Sequence, residues 1–185
     1  MAKSNLSALL SLLFLISISF RTLAAQNDVV ASAICPRTKN PPFCATVVQS
    51  AATADLKVLA GYTLNLAHTN AGDSLCLARL LAATAASPLL KWRYSSCSAS
   101  YDGAFAQIRQ AQKHLADGDY LDVTDLTTGV VAAVAKCLAK FKKPPPDASG
   151  LTKNGKTLED LCSIVLVLAD LLPGVRTDGN GNQRM

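Results

Sequence analysis

The sequence predicts an all-α fold: a four-helix bundle running up, down, up and down behind a short N-terminal helical hairpin, stabilised by disulfides. Three observations carry this. Apolar residues recur at alternating steps of three and four along most of the chain, alanine and leucine are abundant while aromatic residues make up only 5%, and no stretch shows the strict alternation of a half-buried strand. Six cysteines lie beyond the first 30 residues.

The opening segment sets the compartment. Lys3 precedes an apolar stretch from Leu9 to Phe20, followed by small residues at Ala24 and Ala25. This is the pattern of a signal peptide over residues 1–25. It is too short to span a membrane, which takes about 20 apolar residues. The expected mature chain begins near Gln26, and residues 26–174 form one helical domain. It loses Lys3 and Arg21, so 16 basic side chains face 13 acidic ones. That mild excess, without a basic stripe interleaved with stacking groups, argues against nucleic acid. No later stretch is apolar all round, which argues against a membrane partner. The tail, residues 175–185, is polar and rich in Gly and Asn, the composition of a disordered segment.

Exported cysteines pair in an oxidising environment. In Cys35-Pro36-Arg37-Thr38-Lys39-Asn40-Pro41-Pro42-Phe43-Cys44, the prolines forbid one continuous helix, and a local disulfide would clamp the turn. The first long helix spans about Thr53 to Ser87, with Leu56, Leu59, Thr63, Leu66, Leu77 and Leu80; Gly61 and Gly72 are expected to bend it, and Pro88 to end it. Lys91-Trp92-Arg93-Tyr94 then reads as a packed corner. The second helix carries Cys97, Tyr101, Ala104, Ile108, Ala111 and Leu115, and ends at Gly118. Asp119 caps the third, whose stripe is Val123, Leu126, Val130, Val134, Cys137 and Phe141, before Pro144-Pro145-Pro146. The fourth carries Leu158, Leu161, Val165, Leu168 and Leu172, with Thr157 and Asp160 as a capping box and Pro173-Gly174 as its stop. Connections of a few residues make successive helices antiparallel neighbours.

This topology can be tested by height. At about 1.5 Å per residue, Cys97 and Cys137 both lie some 8 to 9 Å from the same end and can pair. Cys76 and Cys162, near 15 and 18 Å, also nearly agree, so they form either a third disulfide or two buried free thiols. A zinc site would need Cys-x2-Cys spacing, which is absent, and no cofactor is implied.

Little in the chain suggests chemistry. His68 and His114 stand in helices without a partner motif, and neither a nucleophile elbow nor an H-E-x-x-H sequence occurs. Asp119, Asp122 and Asp125 crowd a helix start, where the helix dipole favours negative charge. Lys136, Lys140, Lys142 and Lys143 run toward a helix end, the position the dipole favours for cations, and also offer a basic surface to an acidic partner.

Taken together, the clamp from Ile34 to Cys44, the run Ser96-Cys97-Ser98-Ala99-Ser100-Tyr101-Asp102-Gly103-Ala104 with Cys137 forty residues on, and the closing Asn154-Gly155-Lys156-Thr157-Leu158-Glu159-Asp160-Leu161-Cys162-Ser163-Ile164 resemble the plant invertase inhibitor and pectin methylesterase inhibitor family. The resemblance implies disulfides Cys35–Cys44 and Cys97–Cys137. It also implies a secreted, monomeric inhibitor of the cell wall or apoplast, not an enzyme, which blocks a carbohydrate-active enzyme non-covalently in a one-to-one complex. The turn Gly118-Asp119-Tyr120-Leu121-Asp122 lacks the Pro-Lys-Phe element of invertase-directed members, so the resemblance favours pectin methylesterase over acid invertase. One departure is Ala135-Lys136 before Cys137, where pectin methylesterase inhibitors tend to carry an acidic residue and a threonine. Tyr120, Lys136 and Lys140 are the candidate partner contacts. A carrier of small apolar ligands is the reading of another class; it requires a dry cavity of several hundred Å3 inside the bundle.

Overall fold

The computed structural model describes residues 27–173; the expected signal peptide and polar tail lie outside the described residues. Residues 27–34 form α1, which runs into a single 3-10 turn, Cys35–Arg37. Helix α2 spans Pro41–Ala51, α3 Leu56–Thr84, α4 Pro88–Asp117, α5 Tyr120–Ala139 and α6 Leu151–Leu171. Helix α3 packs on α4 and α6, and α5 packs on α4 and α6, so the last four helices close a ring. The hairpin of α1 and α2 lies outside that ring, with α2 against α3 and α6.

The register follows from the apolar steps. Beyond its first turns the buried positions in α4 are Cys97, Tyr101, Ala104, Ile108, Ala111 and Leu115, and in α5 they are Val123, Thr127, Val130, Val134 and Cys137. Steps of four and three keep both seams facing inward over the full helix length. The Cys97–Cys137 disulfide fixes one level of this antiparallel pair. Counting outward from it puts Tyr101 level with Val134, Ala104 with Val130 and Ile108 with Thr127.

Several helix boundaries differ from the sequence expectation, each for a local reason. Helix α3 is continuous through Gly61 and Gly72, and Asp55 caps it by accepting from the N–H groups of Lys57 and Val58. At Gly72 the missing side chain makes room for the ring of Phe105 on α4: an added Cβ would lie 3.2 Å from it. Pro88 does not merely end the preceding segment. With Ser87 as N-cap it opens α4, where its missing N–H costs nothing. The Lys91–Tyr94 segment is therefore the first turns of α4 and not a corner, with Lys91 and Trp92 exposed and Arg93 and Tyr94 buried.

Thr157 is not a cap. It lies inside α6, where its hydroxyl donates back to the Lys153 carbonyl at 3.2 Å, because the apolar stripe extends upstream through Gly155 to the fully buried Leu151. Gly155 is where α6 comes closest to its neighbours. A Cβ there would stand 2.7 Å from a methyl of Leu138 and 2.8 Å from the hydroxyl of Tyr101, which itself donates to the Leu151 carbonyl. We expect Gly155→Ala to destabilise the fold by about 1–3 kcal/mol, the cost of overpacking, despite the better helix propensity of alanine. Chemical denaturation of wild type and variant checks this; equal midpoints would mean that α6 shifts freely.

Candidate partner-binding surfaces

The clamp at the N-terminus is held on three levels. Cys35 is bonded to Cys44. Asn40 caps α2 by accepting from the Phe43 N–H and donates to Asp160 at 2.8 Å. The Lys39 N–H donates to the Ser163 hydroxyl while its ammonium pairs with Glu159, and Arg37 pairs with Asp170 at 2.6 Å. The hairpin is thus tied along the outer face of α6.

Cys76 and Cys162 are free thiols. Equal height is not enough, because the helix faces differ: Ser74, Leu75 and Ala78 fill the inward positions of α3 and leave Cys76 turned to solvent, whereas Cys162 points into the core. Burial, with a smaller contribution from Glu159, pushes the Cys162 thiol up to about 12. A thiol reagent should therefore titrate one group in the native protein and two after denaturation. Two rapid equivalents in the native state would contradict this packing.

The connection from α5 to α6, residues 140–150, is longer than the other turns of the bundle and is held partly from α4. The Arg93 guanidinium, 6% exposed, donates to the carbonyls of Lys143, Pro144 and Pro145 at 2.9, 3.2 and 2.7 Å. Asp147 closes the far side. Its carboxylate accepts from the Tyr94 hydroxyl, from the N–H and hydroxyl of Ser149, and from the Thr152 N–H, so it caps α6 from outside the helix. Burial alone would raise its pKa, but the bonds from Ser149 and Thr152 outweigh it and hold the carboxyl below the usual range. A depressed pKa contributes stability that is complete above about pH 4 and is lost as the pH falls below that. Asp147→Ala should cost about 1–2 kcal/mol at neutral pH, as a lost cap does, and should lose less further stability than wild type between about pH 5 and pH 3. Urea unfolding at several pH values measures both effects.

The three candidate contacts are not brought together. Lys136 is exposed one residue before the α4–α5 disulfide, and Lys140 follows one turn later with its ammonium 4.5 Å from the centre of the Trp92 ring. Tyr120 is half-buried against the core at the other end of α5, about 24 Å away along the axis. The outward face of α5 instead continues through Leu121, Asp125, Thr128, Ala132, Lys136 and Ala139, all exposed. Sequence reasoning missed this face because alanines at steps of three and four look like core.

The histidines occupy unrelated environments. His68 stacks on Phe105 at 4.2 Å, and His114 sits 3.4 Å from Asp119 and 3.2 Å from Asp122 at the corner between α4 and α5. These three side chains bring their ligand atoms within 4.8 Å of one another. Both carboxylates are solvent-exposed and stand at the start of α5, where Asp119 also caps the helix. Among the described residues no helix is long and apolar enough to cross a membrane.

The described residues form a helical bundle with two disulfides, the architecture of a small inhibitor family. The chain belongs to the plant invertase/pectin methylesterase inhibitor family, whose model matches residues 30–168. It is 34% identical to a pectinesterase inhibitor of Actinidia deliciosa over 91% of this chain and 92% of that protein, and 29% identical to pectinesterase inhibitor 1 of Arabidopsis thaliana over 91% and 96%. Its fold matches the crystal structure of a mutant form of an Arabidopsis pectin methylesterase inhibitor with a TM-score of 0.74 at 30% identity, covering 78% of this chain and 97% of that one.

Proposed function

We propose that this protein inhibits pectin methylesterase, docking as one copy on one enzyme molecule and closing the active-site cleft by occupation, without chemistry of its own. The observation that carries the reading is the full-length likeness to proteins named as pectinesterase inhibitors. Together with the sequence of residues 1–25, it supports action in the apoplast.

The physical form of the bundle favours such a role. Docking a preformed helix face costs little ordering entropy, so more of the contact energy remains as affinity. The outward face of α5 suits this: Thr128, Ala132 and Ala139 give it a low profile, and the disulfide at Cys137 keeps its C-terminal half from shifting on α4. Lys136 and Lys140 place charge at one end of that face, where electrostatic complementarity would fix orientation on an acidic rim. A carrier role has less support, because the pocket of about 640 Å3 between α5, α6 and the clamp is an open groove flanked by charged side chains, not a dry interior cavity.

The test is titration of the oxidised mature protein against a plant pectin methylesterase and, in parallel, an acid invertase. Esterase activity should fall to a plateau at one equivalent while invertase is unaffected, and Lys136→Glu should weaken inhibition about tenfold or more. Loss of invertase activity alone would reverse the choice of target.

A further inference from the structure

The groove beside the clamp lies on the flank of α5 that faces α6, away from Lys140 and Trp92. Its floor is apolar: Ala135 and Leu138 from the end of α5, then Phe141 just after it, with Pro146 beyond. Its rim carries Lys39, Lys142 and Lys156 together with Asp147, Glu159 and Asp160. The charges are not equivalent. Each carboxylate is engaged within the protein: Asp147 caps α6, Glu159 pairs with Lys39, and Asp160 accepts from Asn40. Lys142 and Lys156 are exposed, and among the described residues neither takes part in an ion pair.

This combination specifies a ligand. Two separate cations over an apolar floor call for single negative charges spaced along a body with apolar faces. A dense polyanion such as a polyphosphate would meet the nearby carboxylates and be repelled. Glu159 and Asp160 each accept from a single side chain and keep lone pairs that can accept from alcohols, so the ligand should also carry hydroxyl groups. A uronic acid chain has these features: one carboxylate per ring, hydroxyls at the ring edges, and C–H faces able to lie on Leu138 and Phe141. We propose that the groove binds a short segment of de-esterified polyuronide, with carboxylates on Lys142 and Lys156 and ring faces on the floor between α5 and α6.

This site is distinct from the outward face of α5 assigned to the enzyme, so the two are tested separately. Isothermal titration of the whole mature protein uses a de-esterified galacturonide oligomer, its methyl-esterified counterpart and polyglutamate, with wild type and the double variant Lys142→Gln/Lys156→Gln. Esterase inhibition by the same variant is measured alongside. The de-esterified oligomer should bind wild type, its affinity should fall about tenfold or more in the variant, and neither comparison ligand should bind comparably, while inhibition is unchanged. Equal binding of polyglutamate would reduce the site to diffuse positive charge and overturn the proposal. So would binding that the substitutions leave intact, or no oligomer binding by folded protein. Weakened inhibition without oligomer binding would overturn it too, and would assign the groove to the enzyme contact.

Discussion

The level at which Cys97 meets Cys137 governs the rest of the bundle. Closing a loop of this size stabilises by about 4 kcal/mol in the chain-entropy model, against about 2.5 for the clamp at Cys35 and Cys44. The larger effect is geometric. A slip of one helical turn between α4 and α5 would keep apolar residues facing inward but would break the match of large with small side chains. With the bond in place, Tyr101 lies deep enough to reach Leu151, and only a glycine at position 155 leaves it room. The close approach of α6 thus rests on a bond made between two other helices.

Much of this was legible in the sequence because one period, alternating threes and fours, encodes all four long helices. The ring of α3 to α6 follows from that period and from tight turns at 85–87 and at Gly118-Asp119. What was not legible has a common cause: each case depends on where a residue packs and not on its local spelling. Thr157 followed by Asp160 has the spelling of a capping box, yet the buried Leu151 carries the helix back past it. Gly72 reads as a place for the helix to bend, and only the fold sets the ring of Phe105 against it. Cys76 and Cys162 agree in height but not in the direction they face, and a periodic pattern read on separate helices does not relate their rotations.

The candidate surfaces were less legible than the fold for a related reason. Core positions announce themselves by apolarity, whereas a docking face made of Thr128, Ala132 and Ala139 carries no chemical label. The lysines near the end of α5 stood out, but sequence alone could not separate Lys140, which lies over Trp92, from Lys142, which borders the groove on the opposite flank. Their division between two surfaces comes from the course of the chain as it leaves α5.

Arg93 stores the shape of a loop it does not belong to. It grips three carbonyl oxygens some fifty residues downstream, and carbonyls are the part of a peptide that every amino acid supplies. The first half of the path from α5 to α6 is therefore set from α4 through its backbone, while Asp147 sets the second half with its own side chain. A chain built this way can change the side chains of residues 143–145 while the course of their backbone stays the same.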